Sequence, residues 1–263
     1  MVSFEYKENY TVADFVKIIA VLRGEGGCPW DREQTHESIR RNLLEEAYEV
    51  AEAIDEGDPL HLREELGDLL MQVIFHARIE QEQGGFDIDA VADAACKKLI
   101  LRHPHVFGDT QVADSTEVLR NWDEIKRAEK EQKSTSDAID SVAKSLPALW
   151  RAEKIQDKAR KAGFDWPEVA GAMDKLGEEL GELRDAVSCG SGFEEELGDV
   201  LFSAVNVARF LNVDPEDALQ AACDKFSRRF RYVEEAAGAR LADMTLEEME
   251  ALYQEGKSCE GRG

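Results

Sequence analysis

The sequence predicts an all-α protein made of two tandem copies of one helical-bundle unit. Three observations carry that expectation. Apolar residues recur at three- and four-residue steps over long stretches, which marks one face of a helix. No sustained alternation of apolar and polar residues, the mark of a strand, interrupts them. Two acidic blocks also return later in the same order. Leu44-Glu45-Glu46-Ala47-Tyr48-Glu49 returns as Gly177-Glu178-Glu179-Leu180-Gly181-Glu182, an offset of 133 residues. Glu64-Glu65-Leu66-Gly67-Asp68 returns as Glu195-Glu196-Leu197-Gly198-Asp199, an offset of 131. Self-similarity at this length reads as duplication.

The first copy opens its helices with Ile39, Leu43, Ala47, Val50 and Ile54 on one stripe. Asp58-Pro59 then supplies a capping side chain and a proline suited to a first helical turn. Leu62, Leu66, Leu69 and Val73 continue as the next helix. The stretch Gln132 to Asp137 is polar and aperiodic, and Leu146-Pro147 follows it. We therefore expect domains over 1–132 and 147–263, joined by a linker over 133–146. In the second copy, Val169, Met173, Leu176, Leu180, Leu183 and Val187 form one stripe. Phe193, Leu197, Leu201, Ala204, Ala208 and Leu211 form another, and Asp214-Pro215 repeats the capping signal. Two helical hairpins per copy suggest a bundle.

The 263 residues fit two domains at roughly 150 residues each. They include 56 acidic against 32 Lys and Arg residues, a formal charge of −24. Such a chain repels a polyphosphate backbone and an anionic lipid surface, which argues against nucleic-acid polymers and membranes as partners. The five cysteines are scattered and make no Cys-x-x-Cys, so neither a disulfide framework nor a zinc ribbon is implied. Met1 to Tyr10 lacks an apolar leader segment, and no apolar run approaches membrane-spanning length. A cytoplasmic protein is the expectation.

The acids have a pattern of their own. Glu179 and Glu182 are three apart, and so are Glu196 and Asp199; each pair shares a helix face beside the apolar stripe. If the two helices form an antiparallel hairpin, four carboxylates meet at the edge of the core. Their mutual repulsion and desolvation are unfavourable unless a hard cation joins them. All-oxygen ligands favour Mg²⁺, with Mn²⁺ as a substitute, over zinc. A di-iron bundle would need Glu-x-x-His twice. All five histidines lie in the first copy, so that chemistry is excluded from the second.

Several further blocks accompany the acids: Gly27-Cys28-Pro29-Trp30-Asp31, Arg102-His103-Pro104-His105-Val106-Phe107, Ser145-Leu146-Pro147-Ala148-Leu149, Gly163-Phe164-Asp165-Trp166, and Lys225-Phe226 with Arg228-Arg229-Phe230. With the duplicated Glu-Glu-x-x-Glu and Glu-x-x-Asp, the chain resembles the MazG family of the all-α NTP pyrophosphatase superfamily over nearly its whole length. The resemblance implies hydrolysis of a nucleoside triphosphate to the monophosphate and diphosphate with Mg²⁺. It implies metal ligands at Glu179, Glu182, Glu196 and Asp199, with Glu178 or Glu195 orienting the attacking water. It also implies that Lys175 to Glu179, Glu195 to Asp199 and Lys225 to Arg229 line the nucleotide site, Lys175, Lys225, Arg228 and Arg229 among them. Tyr253 would stack on the base, with packing on Leu252 and Met249 as the rival reading; Asn206, two turns beyond Asp199, is placed to bond sugar or phosphate, with a plain helix-surface role as its rival. Pairing of the copies' apolar faces into a homodimer belongs to the same expectation.

The first copy keeps an acid set, Glu46, Glu49, Glu65 and Asp68, which offers a second metal site. Its accessory places differ: Asn42 stands for Lys175 and Phe75 for Asn206. The second copy is therefore expected to be catalytic, and the first structural or dimer-forming. Trp30 and Trp166 are expected to plug bundle ends, and His103-Pro104-His105 to form a loop. The leading expectation is a nucleoside triphosphate pyrophosphohydrolase of broad base tolerance, serving nucleotide-pool cleaning or stress physiology. A narrow (d)NTP pyrophosphatase and a non-catalytic acidic scaffold are the alternatives.

Overall fold

The computed structural model describes residues 4–129 and 134–260, apart from the side chains of Asp123, Arg127 and Glu260. It divides into two units, Met1–Lys126 and Arg127–Gly263. No strand occurs among the described residues.

The first unit begins with α1 (Val12–Arg23), α2 (Pro29–Glu33), α3 (His36–Glu56) and α4 (Pro59–Glu82). Thr11 caps α1 through a capping box with Asp14, and Thr35 caps α3 through one with Ser38. Gly57 ends α3 in the left-handed region at φ 68°, where a side chain would be strained, and the next residue starts the return helix. Asp58 accepts from the amides of Leu60 and His61, and Pro59 occupies the first turn of α4, as the sequence predicts. The resulting α3–α4 hairpin packs on α1 around Ile19, Ile39, Ile74, Phe75 and Ile79. Buried Arg23 at the end of α1 reaches the Glu82 carboxylate at 2.8 Å and the carbonyls of Asp31 and Gln34. One guanidinium thus fastens α1, α2 and α4.

The unit continues with α5 (Ile88–Arg102), α6 (Pro104–Phe107) and α7 (Ser115–Glu129). The expected loop at His103-Pro104-His105 is instead a junction between two helices. Proline lacks the amide that a first turn leaves unbonded, so Pro104 opens the short α6.

The second unit comprises α8 (Thr135–Asp140), α9 (Ala148–Lys161), α10 (Val169–Cys189), α11 (Phe193–Phe210), α12 (Pro215–Ala237), a 3₁₀ turn over Gly238–Asp243 and α13 (Leu246–Glu260). Residues 130–133, where the first domain was expected to end, lie outside the described residues. The rest of the expected linker carries α8, capped by Ser134 and Asp137 and packed on α9. Ala138 and Val142 are buried there, so this short segment has an apolar side that its polar flank conceals in the sequence.

The α10–α11 hairpin matches the α3–α4 hairpin. Its turn uses Gly190 and Gly192, both at positive φ, 75° and 81°. Asp214 caps α12 and also accepts from the Trp150 indole at 2.9 Å, which joins α9 to the start of α12. Within α10 the predicted stripe divides: Leu176 and Leu183 are half-buried, while Met173, Leu180 and Val187 are exposed.

Candidate active site

Glu179 sits on α10 and Glu196 and Asp199 on α11, and the hairpin brings the three together. One carboxylate oxygen from each lies within 4.8 Å of the others. Glu179 is 6% exposed, far more buried than an unassisted carboxylate tolerates. The Lys175 ammonium, one turn earlier on the same face, sits 2.8 Å from Glu179 and 2.8 Å from Glu178. Those hydrogen bonds raise the lysine's pKa well above its ordinary value, so it stays charged. The other oxygen of Glu179, Oε2, is buried with no hydrogen-bond partner. A buried acceptor left bare within a carboxylate cluster fits a divalent cation, which would take the place of the missing donor.

Glu182, expected as the fourth ligand, stands outside the tight group of three but borders it. Loss of surrounding water and the charge of Glu179 hold its carboxyl above the usual range. Glu195 is exposed on the first turn of α11, and Glu178 is exposed and engaged by Lys175.

Asn206 lies two turns past Asp199 on α11 and lines a cavity of about 500 Å³ between α9 and α11. Phe164, Trp166, Phe202 and Ile155 supply apolar walls, and Gln156 and Arg209 polar ones. Trp166 was expected to plug the bundle end; it is half-exposed and forms a cavity wall instead. It lies so close to α10 that a Cβ at Gly171 would meet the indole at 2.8 Å. The Asn206 amide oxygen accepts from Arg209, and Arg209 is held in turn by the Asp165 carboxylate. Buried Gln156 donates to the Phe202 carbonyl at 2.7 Å, while its own oxygen is buried without a partner.

The other predicted site residues form a second group. Lys225, Arg228 and Arg229 lie on α12, and Tyr253 lies on α13. The Tyr253 ring sits 5.7 Å from Phe226, with the Arg229 guanidinium 5.7 Å over it. The Tyr253 ring therefore meets an aromatic and a cationic side chain of α12.

In the first unit Glu46 and Glu49 of α3 meet Glu65 of α4, again within 4.8 Å, so two acids come from the first helix of the hairpin where the second unit takes one. Burial, then the charges of Asp68 and Glu49, push the Glu46 carboxyl up. Asp68 thus borders the trio as Glu182 borders its counterpart. The surroundings differ from those of the second unit. The Glu65 carboxylate pairs with His61 at 3.2 Å. Phe75, in the place of Asn206, is buried, with the Arg23 guanidinium 5.0 Å over its ring. Ring and guanidinium fill the place that borders the cavity in the second unit.

Sequence reasoning missed Gln156, the Arg209–Asp165 pair and the cavity. The available signal was a glutamine between Ile155 and Ala159 on the apolar side of α9, beside the Gly163 to Trp166 block.

A duplicated all-helical unit that presents converging carboxylates from two antiparallel helices, with a lysine laid across them, has the make-up of the α-helical hydrolases of phosphorus anhydrides. The MazG nucleotide pyrophosphohydrolase domain matches residues 34–107 and 160–233, and the chain belongs to that family. It is 48% identical over 243 residues to the nucleoside triphosphate pyrophosphohydrolase of Escherichia coli K12, covering 90% of this chain and 92% of that one. It is 44% identical over 247 residues to the nucleoside triphosphate pyrophosphohydrolase/pyrophosphatase MazG of Thermotoga maritima, covering 93% and 94%. The uncharacterized protein YabN of Bacillus subtilis is 50% identical over 254 residues, which span 94% of this chain and 52% of YabN. No helix among the described residues is long and apolar enough to cross a membrane.

Proposed function

We propose that this protein hydrolyses nucleoside triphosphates to the monophosphate and diphosphate with Mg²⁺, and that the second unit does the work. The observation that carries this reading is the buried, unpartnered Glu179 Oε2 among three converging carboxylates. Glu179, Glu196 and Asp199 would hold the ion, with Glu182 at their edge; Mn²⁺ suits the same donors. When bound, the ion offsets the charge of the triphosphate and polarises the phosphorus under attack.

The chain's own groups do the rest. Lys175 is already aligned on the acids and can swing to a phosphate oxygen, since its stem is flexible. Glu178 or Glu195, both exposed at the start of the carboxylate cluster's helices or beside it, would orient or deprotonate the attacking water. Lys225, Arg228 and Arg229 supply further positive charge for the phosphates. The cavity along α11 receives the base, with Trp166 and Phe164 as apolar walls and Asn206 near the sugar. Tyr253 remains the alternative stacking surface.

The first unit retains a metal site at Glu46, Glu49, Glu65 and Asp68 but serves structure and pairing. The exposed Leu44, Tyr48, Leu66 and Val73 on the α3–α4 hairpin favour burial against a second copy, as do Met173, Leu180, Leu197 and Leu201 on α10–α11, and a homodimer is part of the proposal. A monomer by analytical ultracentrifugation at micromolar concentration would remove that part. A cytoplasmic place and a role in clearing nucleotide pools or in stress physiology follow from the substrate class.

A second reading is narrower base selection, favoured by the unpaired oxygen of Gln156 in the cavity. Diphosphate release from a panel of canonical, deoxy and altered triphosphates, with and without Mg²⁺ or Mn²⁺, tests both. Release from many bases supports the broad reading, release from one the narrow, and release from none overturns the proposal.

A further inference from the structure

The first unit holds a cluster that the reaction does not use. His36 opens α3, and His76 lies on α4. Their Nδ1 atoms are 2.7 Å apart. The ring planes differ by 2° and the centroids are 5.0 Å apart, so the rings meet edge to edge with their nitrogens facing. The other nitrogen of His36, Nε2, lies 3.1 Å from the Glu80 carboxylate. The other nitrogen of His76 is buried without a partner.

The duplicated fold provides an internal control. Along the gapless α3/α10 and α4/α11 correspondence, Val169 stands for His36, Val207 for His76 and Leu211 for Glu80. The architecture is therefore built without polar groups at all three places. One copy has three chemically matched replacements that converge, which packing does not require.

Only one proton fits between two nitrogens at 2.7 Å, so one Nδ1 always presents its lone pair to the other. The carboxylate on His36 Nε2 fixes that ring's tautomer with the proton on Nε2 and leaves its Nδ1 as an acceptor. A carboxylate behind one imidazole, with a second imidazole in front of it, is how proteins arrange histidine metal ligands. Burial and the neighbouring His36 lower the His76 pKa, which keeps that ring neutral as a ligand must be.

We propose that His36 Nδ1 and His76 Nδ1 form a bidentate site for a divalent transition ion of the zinc class, oriented by Glu80 and separate from the acid clusters. The ion takes the place of the shared proton, and His76 regains a proton from solvent at Nε2, so both rings coordinate through Nδ1 as neutral imidazoles with no net proton released. Metal–nitrogen bonds of about 2.0–2.1 Å need the nitrogens somewhat further apart than they stand, and rotation of two partly exposed rings supplies that. Imidazole donors favour zinc, nickel or copper, whereas the all-oxygen acid clusters favour magnesium.

The test uses the full chain in saturating Mg²⁺, which occupies the carboxylates. Calorimetric titration with Zn²⁺ should show one more equivalent bound by the wild type than by the His36→Val/His76→Val variant, which has the residues of the second copy. Glu80→Leu should weaken that equivalent by about 10–100-fold, the usual cost of losing an outer-shell partner. His103→Asn/His105→Asn should leave it intact. A Cu²⁺ spectrum of the wild type, read by electron paramagnetic resonance, should show coupling to two imidazole nitrogens, and this readout needs no variant. Equal Zn²⁺ stoichiometry in wild type and the double variant, or a copper spectrum without nitrogen coupling, would overturn the proposal. A pair that exchanges protons with pH but shows no response to Zn²⁺ would overturn it equally.

Discussion

Lys175 holds one oxygen of Glu179 at 2.8 Å and leaves the other buried and bare. The lysine supplies half of what this carboxylate needs, and the carboxylate itself belongs to the cluster with Glu196 and Asp199. Removing the negative charge should relieve the empty cluster and disable the loaded one. Glu179→Gln is expected to lower diphosphate release by about 100-fold or more, beyond the loss typical of outer-shell groups. Glu46→Gln should leave turnover within a few-fold. Loss of activity from Glu46→Gln alone would reassign catalysis to the first unit.

The same bare oxygen predicts stabilisation by metal. An ion bound by the folded state alone raises stability by about 2.7 kcal/mol at a hundredfold excess over its dissociation constant. Thermal melts should rise with Mg²⁺, and the part of the rise that belongs to the second unit should vanish in Glu179→Gln. An identical rise in the variant would place the bound ion elsewhere.

The raised pKa of Glu182 gives a signed pH dependence. A carboxyl whose folded pKa lies above its unfolded value takes up its proton more readily in the native state. Its contribution to stability is therefore present at acid pH and is lost as pH rises through the folded value. The metal-free protein should lose this contribution on going from mildly acid to neutral pH, and Glu182→Gln should flatten that slope. Metal affinity should run the other way and weaken as Glu182 protonates. An unchanged slope in the variant would remove Glu182 from the account.

Gly171 should matter through Trp166. A methyl group placed 2.8 Å from the indole must push the ring or bend α10, at a cost of about 1–3 kcal/mol. If the base enters the cavity, Gly171→Ala should raise KM more than it lowers kcat. Unchanged kinetics with a lowered melting temperature would make the contact structural.

Arg23 is the first unit's fastening. Arg23→Met keeps the aliphatic stem but takes the guanidinium from two carbonyls and leaves Glu82 with Arg78 alone, and should cost about 1.5–3 kcal/mol. Urea denaturation with a probe in the first unit measures it. A midpoint equal to the wild type's would show that these bonds are replaced by water.

The helices were legible in the sequence because periodicity and caps act locally: Asp58-Pro59 and Asp214-Pro215 start helices as their chemistry demands. The acid faces were legible for the same reason, since three-residue spacing fixes a helix face whatever surrounds it, but which three of the four acids draw together in each unit was not. What joins distant segments was not. The partnership of Arg209 with Asp165, the open end of Gln156 and the facing of His36 with His76 depend on contacts across 40 residues or more. The division of the α10 stripe into half-buried Leu176 and exposed Leu180 was equally hidden, because periodicity identifies an apolar face but not what covers it. The segment at 134–146 misled for the opposite reason. Its polar opening is a helix cap, and three apolar residues, Ala138, Ile139 and Val142, are too few to register as a period.

That small helix decides where the chain can be divided. A gene cut at Pro147, the natural choice from composition, would strip α8 from α9 and bare the ground on which Ala138 and Val142 sit, including the Ile139 side of the cavity. Splitting the duplication into separately produced halves, or grafting another domain between them, therefore has to be done upstream of Ser134, so that the capped turn travels with the half it shelters.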